Sequence, residues 1–146
     1  MGDLSDRTDL VRDESARTLS FSCTSDFVLV DANLIGDLVE TSNRNGKCNV
    51  RICLHTTPAE NFHEMIILER QGHFFGPHKH LAKGESWHII EGEITVFTFD
   101  DEGNYTANEI IGGDGCRIGR IGADQWHVVV TLSDYAIYHE AKPGPY

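Results

Sequence analysis

The sequence predicts an all-β chain carrying one helix near its N-terminus. Three observations support this. From residue 50 onward, short runs of apolar residues, several alternating with polar ones, succeed one another at strand length. Gly-rich turns such as Asp100-Asp-Glu-Gly-Asn104 and Gly112-Gly-Asp-Gly115 separate them. One stretch, with Leu34, Ile35, Leu38 and Val39, repeats at helical spacing instead. Many short strands joined by such turns make a sandwich or a barrel.

The elements follow in order. Residues 1–16 are rich in Asp, Arg and Ser and are expected to form a flexible arm, or a strand that orders only in an oligomer. The run 27–30 reads as a strand. Asp31 suits an N-cap for a helix over 32–43, which Asn43-Arg-Asn-Gly46 ends, so this strand and helix occupy 27–44. Strands are expected over 51–55 and 62–69. Residues 87–90 and 93–99 read as a hairpin turning at Glu91-Gly92. Further strands are expected at 105–111, 116–121, 126–132 and 135–141. With no repeat and no low-complexity linker, residues 17–146 are expected to form one domain, with the barrel from about 49 to 146.

Charge narrows the function. Lys and Arg number 12 against 23 Asp and Glu, a net charge of −11. This argues against a nucleic-acid partner, whose phosphates need Lys and Arg, and against docking on anionic membranes. No apolar run approaches the ~20 residues of a membrane helix. The start is acidic and lacks an apolar core, so a cytoplasmic location without a secretory leader is expected. Cys23, Cys48, Cys53 and Cys116 are scattered, form no C-x-x-C pair, and are expected as free thiols.

The chemistry concentrates in the histidines. Pro77-His78-Lys79-His80 places two imidazoles at i and i+2, on one face of an extended chain. Glu85 follows five residues later, and His127 comes across the next strands. Three imidazoles and one carboxylate suit Fe(II), Mn(II), Ni(II), Co(II) or Zn(II). Four protein ligands on a six-coordinate ion leave about two positions for chemistry.

The full spacing, Gly72-x5-His78-x-His80-x4-Glu85-x6-Gly92, resembles the first motif of the cupin superfamily. Gly122-Ala-Asp-Gln-Trp-His127 resembles the second, with Gly122 where Pro is usual, Asp124 where Gly is usual and Thr131 where Asn is usual. From about residue 49 onward the chain is similar to the small WbuC-type cupins found among bacterial surface-polysaccharide genes. The features shared are Arg51-Ile-Cys-Leu-His55, Phe99-Asp-Asp-Glu-Gly103, Trp126-His127 and the ending Glu140-Ala-Lys-Pro-Gly-Pro-Tyr146. The resemblance implies a cupin double-stranded β-helix, a jelly-roll barrel. It implies one divalent transition metal inside (Fe, Zn, Mn or Ni), held by His78, His80, Glu85 and His127, and it implies a homodimer.

Other residues are candidates beside the metal. On the strand 62–69, His63 shares a face with Met65, Ile67 and Glu69, and His55 ends the preceding strand. Both imidazoles are candidate proton carriers, and Glu85 could shuttle protons instead of ligating. Arg51, Lys83 and Arg117 are candidates for an anion, with Trp87 as pocket wall. The expected ligand is a small molecule, an anionic sugar derivative. The leading expectation is a metal-dependent isomerase or epimerase acting on a sugar or sugar-nucleotide in surface-polysaccharide metabolism. The alternatives are an Fe(II)-dependent dioxygenase and a non-catalytic, metal-containing ligand-binding protein.

Overall fold

The structure, a computed structural model, describes residues 2–145; Met1 and Tyr146 lie outside the described residues. It contains a short 3-10 turn (Leu4–Asp6), one helix, α1 (Ala32–Arg44), and ten strands. The strands are β1 (Leu10–Arg12), β2 (Leu19–Cys23), β3 (Val50–Cys53), β4 (Phe62–Arg70) and β5 (Glu85–Glu91). They continue with β6 (Glu93–Phe99), β7 (Tyr105–Gly112), β8 (Ile118–Ile121), β9 (Trp126–Thr131) and β10 (Tyr135–Pro143). The strands form a seven-stranded sheet, β1-β2-β3-β4-β10-β5-β8, and a three-stranded sheet, β7-β6-β9. The described strands thus make two sheets, not one closed barrel. Every pairing is antiparallel except β2 with β3.

Two apolar clusters hold the layers. Trp87, Ile89, Ile94, Val96, Ile111 and Ala136 pack together with residues from both sheets. On the outer face of the large sheet, Leu34 and Leu38 of α1 pack with Phe21, Ile52, Ile66 and Leu68. β4 therefore carries apolar residues on both faces, because one meets the helix and the other the interior. Asp31 caps α1 by accepting from the Leu34 N–H at 2.9 Å.

Three sequence expectations need correction. Residues 2–16 do not wait for a partner chain. Leu4 and Leu10 are buried in the helix-side core, the Leu4 N–H donates to Thr41 Oγ1 at 2.8 Å, and Arg7 pairs with Asp37 at 3.1 Å. The run 27–30 is not a strand. Phe27 and Leu29 are exposed, and the strand before the helix is instead β2, where Leu19, Phe21 and Cys23 alternate with serines. Finally, 87–90 and 93–99 do not form a hairpin: β5 and β6 lie in different sheets. The chain crosses between them at Gly92, which has φ 79° and no room for a side chain, since a Cβ would lie 2.5 Å from the Tyr135 carbonyl.

Candidate metal centre

Glu85 opens β5, His127 is the second residue of β9, and His78 and His80 lie in the segment between β4 and β5. Backbone hydrogen bonds bring the pieces together. His78 and His127 form an isolated antiparallel bridge, each N–H donating to the other's carbonyl at 2.9 Å. The Asp124 N–H donates to the His80 carbonyl at 2.8 Å. On an extended segment His78 and His80 point one way and Lys79 the other. Lys79 Nζ reaches Asp101 and Asp124, each at 2.9 Å, and lies 5.4 Å from the centre of the Trp126 ring. Asp124 has φ 61°, a left-handed conformation that Asp tolerates better than most residues. A glycine in the second cupin motif would meet the same backbone demand.

The ligating atoms of His78, His80, Glu85 and His127 all lie within 4.8 Å of one another. Glu85 and His127 are buried, His78 and His80 half-buried. His127 Nδ1 donates to the Gln125 carbonyl at 2.8 Å, and His78 Nδ1 to the Gly76 carbonyl at 3.1 Å. Each bond fixes a ring and leaves its Nε2 facing the cluster. His127 Nε2 donates to Glu85 Oε1 at 2.6 Å. Burial opposes charge on both partners, but the bond prevails: it holds the Glu85 carboxyl below its usual range and the His127 imidazole above its own. A metal ion taken up here displaces that proton. Burial, acting first, pushes His80 toward its neutral form, the state a ligand needs.

The donor set fits a divalent cation on one further observation. His80 Nε2 is buried without a hydrogen-bond partner, although it lies 3.3 Å from Glu85 Oε2. An orphaned polar atom of this kind costs about 1–3 kcal/mol, which ligation to a metal recovers.

A cavity of about 740 Å³ borders His78, His80 and Glu85. Among the other sequence-stated candidates, Arg51 borders it as well. His55 and His63 do not. They stack on each other at 4.0 Å, with His63 Nε2 donating to the Pro58 carbonyl at 3.1 Å and Gly144 close against its ring. His63 does share a face with Met65, Ile67 and Glu69, but it lies beyond the end of the cavity that those three line. Lys83 donates to the Pro145 carbonyl, Arg117 is exposed beside β8, and Trp87 is buried against the His127 ring at 5.8 Å. None of these three borders the cavity. The wall includes residues that sequence reasoning did not select: Arg17, Glu69, Tyr138, Glu140 and Lys142. A signal for three of them exists. Tyr138, Glu140 and Lys142 occupy every second position of β10, so one face of a central strand carries polar groups.

Comparisons with known proteins agree with this architecture. Residues 30–111 match a sequence family described as "Domain of unknown function (DUF6016)". No curated protein matches the chain. Among solved structures, the chain is similar to KdgF from Halomonas sp., with a TM-score of 0.51 and 15% identity over 67% of this chain and 79% of that one. It is similar to an RmlC-like cupin family protein with a double-stranded β-helix fold from Methanocaldococcus jannaschii (TM-score 0.50, 14% identity, 65% of this chain and 81% of that one). It is also similar to the oxalate decarboxylase of Bacillus subtilis, which has Mn(II) centres. There the TM-score is 0.51 and the identity 16%, over 67% of this chain but only 25% of the decarboxylase. At such identities the likeness is one of fold, and the fold is that of cupins. No helix among the described residues is long and apolar enough to cross a membrane.

Proposed function

We propose, for a chain that belongs to the DUF6016 family, the role of a metal-dependent cupin enzyme of the isomerase or epimerase type, acting on a sugar or sugar-nucleotide. The observation that carries this reading is the convergence of His78, His80, Glu85 and His127 beside a cavity large enough for a sugar. A divalent transition metal held by these four side chains would supply an electrophile able to polarise a substrate carbonyl.

The chain's own groups then have to move the proton. Glu140 and Lys142 border the same cavity, with Lys142 Nζ 2.9 Å from Glu140 Oε1 and 3.7 Å from Glu85 Oε2. In this reading the Glu140 carboxylate takes the proton from the carbon beside the carbonyl. The resulting carboxyl returns it to the former carbonyl carbon, while the proton of the neighbouring hydroxyl passes to the former carbonyl oxygen, so no proton is gained or lost overall. Lys142 holds Glu140 in place and offsets its charge. Met65, Ile67 and Val129 line the same cavity and give it an apolar stretch of wall. Glu85 serves as ligand instead of base, because its buried carboxylate lies among the three imidazoles of the cluster.

Two likenesses add support. The similarity to WbuC-type cupins associated with polysaccharide genes favours a sugar substrate. The Mn(II) centres of the decarboxylase make manganese the first metal to test. The experiment is elemental analysis of protein purified without oxygen, followed by deuterium exchange from solvent into sugar-nucleotides. We expect one metal per chain, most of it lost in His80→Ala. In Glu140→Gln we expect exchange to fall by about 100-fold or more with the metal retained. Iron with substrate-dependent oxygen uptake would replace this reading with oxidation. A wild-type chain that binds no metal would sink both.

A further inference from the structure

The cavity has a second charged region, away from the metal ligands. Arg17, on the loop before β2, and Arg51, on β3, both border it. Arg51 Nε donates to Ser20 Oγ at 2.9 Å, which orients the guanidinium. Neither arginine forms an ion pair among the described residues.

The other charges of the wall are engaged. Glu140 pairs with Lys142, and Glu85 belongs to the cluster with His78, His80 and His127. Glu69, raised to about 7 by burial, is largely protonated below that pH. Arg17 and Arg51 are therefore the cations of the wall left without an ion-pair partner among the described residues, in a chain whose net charge is −11. Guanidinium forks present paired donors that match the oxygens of phosphate or carboxylate.

We infer that Arg17 and Arg51 form an anion subsite for the terminal phosphate or carboxylate of a substrate whose other end reaches the centre at His78, His80, Glu85 and His127. The substrate's reacting end rests on the proposed function; the anion subsite does not. The sheet order sets the length of the ligand. β3 and β5 are separated by β4 and β10, so the backbones of Arg51 and Glu85 stand three strand spacings apart across the sheet, about 14 Å, and because Arg51 is level with Ile89 they are offset by about 13 Å along it as well. Side chains from both sides shorten that span, but a two-carbon acid does not bridge it. A sugar carrying a phosphate or carboxylate at the end remote from its carbonyl does. This narrows the substrate class to elongated anionic sugars.

The test is calorimetry on metal-loaded protein with glucose, glucose 6-phosphate and glucuronate, and on metal-stripped protein with inorganic phosphate. We expect at least one anionic sugar to bind about tenfold or more tightly than glucose. The ratio of the two anionic affinities identifies the oxyanion. Arg17→Gln and Arg51→Gln should each remove about tenfold of that affinity while leaving metal content, and hence the fold, intact. Phosphate binding to stripped protein that vanishes in the double variant supports the subsite even if the wild-type chain takes up no metal, an outcome that ends only the enzymatic reading. Equal binding of glucose and both anions overturns the subsite, as does anion binding that survives in the double variant.

Discussion

Glu69 shows how one buried side chain shapes the response of the protein to pH. It is 3% exposed, and its Oε2 accepts from Thr131 Oγ1 at 3.2 Å and from the Tyr138 hydroxyl at 3.4 Å. Burial outweighs both bonds and raises its carboxyl from 4.5 to about 7. The folded state therefore keeps a proton that the unfolded chain releases. The sign follows: stability is unaffected below about 4.5, falls as pH rises toward 7, and stays lower above it, by on the order of 3 kcal/mol. Glu69→Gln should remove this slope. Urea denaturation of both proteins across that range checks it, since a stability difference that does not change with pH would mean that Glu69 ionises normally. The position was legible as one of the face His63-Met65-Ile67-Glu69, but its environment was not. Thr131 and Tyr138 come from strands 62 and 69 residues away along the chain.

At the scale of elements, the four candidate metal ligands depend on loops pinned from behind. Lys79 connects Asp101, Asp124 and Trp126, which belong to the β6–β7 turn, the β8–β9 turn and the start of β9. Its ion pairs with Asp101 and Asp124 tie both histidine-bearing segments together. Lys79→Met should keep the four ligands and weaken metal affinity by about 10- to 100-fold, the usual effect of losing an outer-shell partner. Competition with a metal-buffering chelator measures this, and unchanged affinity would show that the backbone bridge between His78 and His127 suffices. The i, i+2 histidines were readable because alternation on an extended chain is a local rule. The outward partner was not, because three separated turns meet there. The same contrast appears at Gly92. The turn was visible in the sequence, but its passage from one sheet to the other was not.

For the whole molecule, the first residues matter more than their composition suggests. Leu4 and Leu10 are 0% and 8% exposed, in one cluster with Leu34, Leu38, Ile52 and Leu68. Burial of two leucines contributes on the order of 3–6 kcal/mol, a large part of a typical domain's stability. Deleting the first 12 residues should lower the thermal midpoint sharply. Added metal should restore part of the loss, because it binds only the folded form. An unchanged midpoint would mean that the segment decorates a core complete without it.

The sequence by itself determined the β-rich class, the helix to within a residue of Ala32–Arg44, most strand positions, and the four side chains that converge as a possible metal site. These rest on short-range periodicity and on a compact motif, both contained within a few residues of chain. Tertiary structure alone decided that residues 2–16 complete a core, that β5 and β6 part into different sheets, and that Arg17, Glu69, Glu140 and Lys142 share a cavity with His78, His80 and Glu85. It also moved His55, His63, Lys83, Trp87 and Arg117 off that cavity. The physical reason is strand order. β10, last in the chain, pairs between β4 and β5, so its alternate residues face a space whose other walls lie scores of residues earlier, and no local pattern encodes that neighbourhood.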